Sequence, residues 1–426
     1  MKSKIKNLIL AVLVLTGLNI YAQNNRRNLD NFRQPDQRGI NTFEAPKDTE
    51  TTFDGVKVRV GGASTLQFQD LRHENSGAVP LGKIGSNFNL ATANLDLDVA
   101  LADGVRMHLR TYLSSRHHPE PYVKGGYFQI DKLDFISEGL LSDLMQYTTI
   151  KIGHMENNYG DAHFRRSDNA QTIYNPFIGN LIMDSFTTEV GAEVYYRREG
   201  FLGMVGFSNG KLNQSVVAGS NGKTGGAAFL AKLGYDKQLN DDLRVRLTGS
   251  LYNTGYASRL YLYSADRAGS RYYHVMEEEG SKSDNFRSGR FSPSFQNSIT
   301  SVMINPFVRY KGFELFGTVE RASGATHVDS ADDIEGVTNQ YAGELLYRFG
   351  KTENFYVGGR YNIVDSEYDD KAQDVTINRA QIGAGWFMTK NILMKAEYVN
   401  QNYKGFAGAL EDGKFNGFML EAAISF

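Results

Sequence analysis

The stretch NLDLDVALADGVRMHLRTY, residues 94–112, changes chemistry at every step. Leu95, Leu97, Val99 and Leu101 interleave with Asn94, Asp96, Asp98 and Ala100. After Ala102-Asp103-Gly104 the pattern resumes as Val105, Met107, Leu109 and Thr111 against Arg106, His108, Arg110 and Tyr112. Successive side chains of a strand point to opposite faces, and Asp-Gly between two such runs signals a tight turn, so this is a hairpin with one apolar and one charged face. Leu243, Val245, Leu247, Gly249 and Leu251 repeat the pattern against Arg244, Arg246, Thr248, Ser250 and Tyr252. So do Phe355, Val357, Gly359 and Tyr361 against Tyr356, Gly358, Arg360 and Asn362.

Sixteen such segments occur, at about 56–69, 87–101, 105–113, 125–135, 148–154, 188–198, 201–209, 227–236, 243–254, 300–310, 313–321, 338–349, 355–364, 376–388, 392–402 and 415–426. Long connections at 70–86, 114–124, 155–187, 210–226, 255–299, 322–337, 365–375 and 403–414 alternate with mostly short ones, of which 102–104 and 311–312 are typical. An even strand count with long connections at one end and short turns at the other marks a membrane barrel with both termini on the short-turn side. The expected fold class is all-β, a single transmembrane antiparallel β-barrel of about 16 strands spanning 55–426. Two segments fit less well: Phe128 and Ile130 fall out of phase with Leu133 and Phe135, as a bulge produces, and 136–147 reads as a short helix.

Composition agrees. The only long apolar run in 426 residues is Leu8 to Leu18, too short for a spanning helix, so membrane residence must be by strands. That run follows Lys2, Lys4 and Lys6 and precedes Ile20-Tyr21-Ala22, the form of a secretory leader over 1–22. Its removal takes the formal charge from -2 to -5, a near balance that argues against nucleic-acid partners. The chain has no Cys, so neither disulfides nor a lipid-modified Cys is available. Residues 23–54 form a polar periplasmic N-terminal tail with too little apolar surface to fold alone. The reading is a disordered spacer; the sharper alternative is that Ile40 and Phe43 dock a periplasmic partner or plug the barrel mouth.

The last segment carries the most specific signal. Phe418, Leu420, Ala422, Ile424 and Phe426 share one face, Glu421 and Ser425 the other, and the chain ends on Phe426. This resembles the C-terminal assembly signal of outer-membrane barrels, which the barrel-insertion machinery reads as an unpaired edge. Together with the leader, the sixteen strands and a long third loop, it resembles the sixteen-stranded porins, nearest to the phosphate-selective porin O/P family. The local echo is Ile150-Lys151-Ile152-Gly153-His154-Met155-Glu156-Asn157-Asn158-Tyr159-Gly160, similar to that family's strand ending in Gly-Gln-Phe followed by a Pro-Phe-Gly turn. His154-Met155 and Asn158-Tyr159 depart from it, which supports ancestry more than anion selectivity. The Ala22-Gln23 junction and the Asn-rich tail resemble those of Bacteroidetes proteins. The resemblance implies the bacterial outer membrane, contact with lipid and lipopolysaccharide, and a homotrimer or larger outer-membrane complex.

Sixteen tilted strands enclose a space that side chains alone do not fill. Lys57, Arg59, Asp96, Asp98, Arg106, His108, Arg110, Arg244, Arg246 and Arg360 are the expected pore-lining residues, with Glu189, Glu193, Glu314, Glu320, Glu344 and Glu397 opposing. Opposed rows set a transverse field across a pore; equally, they pair across the lumen. The third long loop is too apolar to wave freely. If it folds inward, His163, Arg165 and Arg166 form the cationic edge of a constriction and Glu156, Asp161, Asp168 and Asp184 the acidic edge; the alternative is packing against a partner. The eight His show no zinc-ligand spacing, His117-His118 reads as a solvated pair, and no catalytic constellation shares a rim, so no enzyme activity, metal or cofactor is expected. Two functions remain: a porin-like barrel for passive passage of small polar or anionic solutes, and a non-conducting barrel subunit of a larger assembly for secretion, protein insertion or nutrient uptake. Deleting Phe426 is expected to slow barrel assembly, read as a lower level of the heat-modifiable folded form in membranes; undiminished levels would remove the assembly-signal reading.

Overall fold

The structure is a computed structural model and describes residues 29–48, 50–51, 53–89, 91–114, 122–167, 171–210, 226–257, 260–264, 273–281, 287–327, 334–367 and 374–426. The leader, His117-His118 and Asp168 lie outside the described residues.

Sixteen strands appear where the alternation places them: β1 (Lys57–Glu74), β2 (Thr92–Ala102), β3 (Val105–Ser114), β4 (Tyr122–Ile130), β5 (Thr148–Glu156), β6 (Thr188–Arg198), β7 (Phe201–Ser208), β8 (Ala228–Gln238), β9 (Leu243–Ala257), β10 (Gln296–Tyr310), β11 (Phe313–His327), β12 (Ile334–Phe349), β13 (Phe355–Glu367), β14 (Asp374–Thr389), β15 (Ile392–Lys404) and β16 (Lys414–Ser425). A two-residue piece, Asn87–Phe88, lies along β1 at Phe68 and Gln69. Each strand pairs antiparallel with the next, and β1 closes on β16 from Ala63↔Ser425 to Glu74↔Lys414. Closure continues one residue further. The Phe426 N–H donates to Gly62 O at 3.0 Å and the Gly62 N–H to Phe426 O at 3.1 Å. A Cβ at Gly62 would lie 2.8 Å from Asn94 O and 3.5 Å from the Phe426 ring, so glycine is needed where β1 is squeezed between β2 and the terminal aromatic.

Period 2 separates the two environments cleanly. Val205, Phe207, Leu233, Leu247, Leu345, Ile382, Phe418 and Leu420 are exposed on the outer wall, whereas their neighbours Lys232, Arg246, Glu344 and Glu421 are buried inside. A closed wall leaves no unpaired edge in hydrocarbon, and an apolar exterior of this kind is a lipid-facing surface. Near the short turns Phe313, Tyr347, Phe349, Phe355 and Trp386 form a row with successive ring centroids 4.6, 5.9, 5.6 and 6.1 Å apart. Amphipathic and aromatic rings collect at the headgroup level, so the row marks one membrane boundary. Among the described residues no helix is long and apolar enough to cross a membrane.

The departures from expectation are local. The bulge sits at Lys124, between the pairs Arg110↔Gly125 and Thr111↔Val123, not in 128–135. β4 ends at Ile130 because Asp131 leaves the ladder, donating its N–H to Gly104 O at 2.6 Å, so Leu133 and Phe135 lie beyond the strand. The helix in 136–147 is one turn, Ser142–Met145. β11 to β14 extend further than expected, reducing two connections to 328–333 and 368–373.

The absence of native Cys makes topology directly testable. Asp241→Cys, in a short turn, should react with a membrane-impermeant maleimide only after the outer membrane is permeabilised, and Ser281→Cys, in the 258–295 connection, should react on intact cells. The opposite pattern would invert the barrel.

Candidate functional site

Inward carboxylates and amides on the wall create a demand for donors, and the third long loop supplies them. The Asn158 N–H donates to Glu193 at 2.9 Å, Ile178 N–H to Glu397 at 2.7 Å, Ile182 N–H to Asn362 at 2.7 Å and Met183 N–H to Gln340 at 2.9 Å. Lys395 gives its three ammonium donors to the carbonyls of Thr172, Asn175 and Phe177 at 2.9, 3.0 and 3.0 Å. Phe177, Ile178, Ile182 and Met183 are buried. Of the two placements weighed for this loop, the structure has the inward one.

A second connection, 258–295, covers it. Tyr263 Oη donates to Glu320 at 2.7 Å, Tyr273 Oη to Glu397 at 3.1 Å, and the Phe291 N–H to Ile182 O at 2.7 Å. Nothing in the apolar or charge pattern of 255–299 announces this; its Tyr and Phe content is the one signal that could have.

The polar tail is the largest correction. Residues 29–48 are not a free spacer; of the readings of the tail, the structure has the one that occupies the barrel mouth, as a circuit around the inside of the short-turn end. Arg106 of β3 donates to Asn31 O at 3.3 Å, and Gln37 bonds the β14–β15 turn at Lys390 O, 2.8 Å, and the β12–β13 turn at Thr352 O, 3.0 Å. Asn41 donates to Glu314 of β11, and the Phe43 ring packs 5.3 Å from Phe307 of β10. Glu44 meets Arg246 of β9 at 2.8 Å, Arg197 of β6 donates to Ala45 O, and Lys47 reaches Asp131 at 3.0 Å. Asn31 and Asp48 then bond each other reciprocally and close the circuit. The segment folds because its partners lie on the barrel, which a reading of its own hydropathy does not register.

These contacts use up many of the expected lining charges. Asp161 and Glu44 share Lys232 and Arg246, with Lys232–Asp161 at 3.0 Å and Arg246–Asp161 at 2.7 Å. Burial alone would raise the Glu44 and Asp161 carboxyls, but the two cations more than offset it and hold both below the ordinary carboxylate range. With folded values depressed, this anchoring is fully present above the unfolded carboxylate range and is lost only as pH falls through the lowered values. Arg165 is tied to Glu344 at 3.2 Å and Asn41, Arg166 to Asp184 at 2.7 Å, Arg360 to Glu344 at 2.8 Å, Arg244 to Asp236 at 2.7 Å and Lys57 to Asp54 at 3.0 Å. Asp161, Arg165, Arg166, Arg246 and Arg360 therefore clasp loop, tail and wall together, because a buried charge must be paired, and part-exposed Arg244 joins them while bordering, with Arg246, an opening at the mouth.

One cavity, of about 180 Å³, lies on the β1–β5 side; two others, of about 330 and 360 Å³, border the tail at Arg244 and at Arg348. To the first the wall contributes Arg59, Asp96, Asp98, Arg106, His108, Arg110, Lys124, Tyr127, Lys151 and, at the end of β5, Glu156, the loop His163, Phe164, Gln171 and Tyr174, and the tail Phe32, Arg33 and Glu44. Asp98 receives Arg59 at 3.0 Å, His108 at 2.8 Å and Arg106 at 3.6 Å; Asp96 holds Arg110 at 2.8 Å; His163 bonds Glu156 at 2.7 Å. Lys151 has no carboxylate partner among the described residues and lies over Tyr127 and Tyr195 at 5.6 and 5.1 Å. Six Arg and Lys side chains face four carboxylates, so the cavity carries an excess of positive charge.

No protein-family model matches the chain, and no curated protein matches it in sequence. Solved structures similar to it include the anion-selective porin of Comamonas acidovorans (TM-score 0.54, 11% identity, 87% of this chain and 100% of that one). OmpT of Vibrio cholerae in its trimer form is similar at TM-score 0.51 and 12% identity, over 88% and 100% of the two chains. Pseudomonas putida OprB is similar at TM-score 0.51 and 11% identity, over 87% and 94%. At such identity the likeness is one of fold: the chain is an outer-membrane-type β-barrel.

Arg360→Ala is expected to leave Glu344 with a single cation and strip Gly179 O and Asn175 of a donor, weakening loop docking by about 3–5 kcal/mol, the usual cost of breaking a buried pair. Hydrogen exchange should then quicken at 172–185 while the strand amides keep their protection.

Proposed function

We propose that this protein is a porin-like barrel of the bacterial outer membrane that passes small polar solutes, anions in preference, through a narrow passage on the β1–β5 side. The observation that carries the reading is the cationic excess of the one-sided cavity, with Lys151 uncompensated among the described residues. Paired charges such as Arg110 with Asp96 present dipoles to a solute, whereas an uncompensated ammonium in a confined, poorly screened space attracts anions. The anion-selective porin of Comamonas acidovorans, similar in fold, suits this reading. A homotrimer belongs to the proposal, since a neighbour is described in a trimer form. The alternative, a non-conducting subunit of a larger assembly, draws on the extent to which tail and loops occupy the lumen.

Purified chain in planar bilayers under a salt gradient decides between them. The expected result is discrete steps, small for sixteen strands, with a reversal potential on the anion side. Lys151→Glu should move that potential toward cations, and the lipid-face change Leu97→Ile should not. Absence of steps from correctly folded chain would favour the non-conducting subunit.

A further inference from the structure

Resting on the passage reading, we infer that the N-terminal circuit is the inner wall of the passage and that Arg33 is its selectivity-determining residue for solutes bearing a carboxylate or phosphate. The cavity's wall arginines are committed: Arg59, Arg106 and Arg110 all reach Asp96 or Asp98. Arg33 differs. Its guanidinium stacks 3.7 Å from the Tyr174 ring centroid, and it has no carboxylate within ion-pair distance among the described residues. Nε donates to Gly39 O and one Nη2 hydrogen to Phe164 O, both at 3.1 Å. A guanidinium has five N–H donors, so three, including both on Nη1, are left for a solute oxyanion. Stacking on an aromatic face holds the group in place without neutralising it.

Its neighbour makes the assignment sharper. Phe32 lies 5.0 Å from Arg59 and 5.5 Å from Arg106, covering those wall guanidiniums with a ring. The tail thus masks two cations already held in ion pairs and presents one that makes no ion pair among the described residues. Its ends are held by Asn31 with Asp48 and Lys47 with Asp131, and the third loop holds its middle through Phe164 O and through Tyr174, whose hydroxyl donates to Gln34 O at 2.7 Å.

The test is bilayer recording of the full chain and three variants, each first shown to be folded by heat-modifiability. Arg33→Gln keeps an amide donor for the Gly39 or Phe164 carbonyl while removing the charge, and should lower the anion-to-cation permeability ratio several-fold. Arg33→Glu should move it further in the same direction. Deleting 29–47 should enlarge the conductance step, because the inner wall is gone. Phosphate and acetate added to the chloride bath should block wild-type current more than Arg33→Gln current; block by phosphate alone marks phosphate as the preferred group, and block by both marks the shared oxyanion chemistry. A conducting chain whose selectivity and block ignore Arg33 overturns the role of the tail and leaves the passage standing. Silence from both the wild type and the deletion overturns the passage and the inference together.

Discussion

Seven glutamates, Glu189, Glu193, Glu314, Glu320, Glu344, Glu397 and Glu421, project from the wall into the lumen and are almost wholly shielded from solvent. A carboxylate withdrawn from water must be met by donors, or the fold loses several kcal/mol at each. Neighbouring strands meet only part of the demand: Gln67 donates to Glu421 at 2.5 Å and Arg348 to Glu314 at 2.7 Å. The rest comes from segments that leave the wall and return inside it. Tyr159 and Tyr263 donate to Glu320, and the Ile178 N–H and Tyr273 to Glu397. The inward loops are therefore a consequence of inward glutamates, and their apolar residues fill the space the hydrogen bonds define.

The same requirement bears on the cavity beside β1–β5. On β2 the acidic residues are Asp96 and Asp98, and their partners Arg59, Arg106, His108 and Arg110 sit on the adjacent β1 and β3. Charges satisfied across one ladder need nothing from the centre, so no loop is drawn onto this part of the wall. Where the pairs are long-range, as for Asp161 with Lys232 and Arg246, the lumen is filled. Local pairing and a persistent cavity go together.

Alternation in 94–112 and its repeats placed all sixteen strands and divided lipid-facing from inward residues, since side-chain direction in a strand depends on nothing but parity. Closure through Phe426 was legible for the same reason. Parity also told which charges point inward, but not what they touch. The Ile178 N–H and Glu397 lie 219 residues apart, and Arg246 reaches Glu44 across 202. Such contacts depend on which strands face each other around the closed wall. That is why alternation leaves open whether Arg165, Arg166 and Arg360 edge a water passage or pair across the lumen, and why the polar composition of 29–48 favours a spacer over the plugged mouth that Ile40 and Phe43 also suggest. The sequence by itself determined a barrel and the polarity of its two faces, because those follow from local periodicity; the tertiary structure alone decided what occupies the lumen, because buried charges choose partners by distance in space.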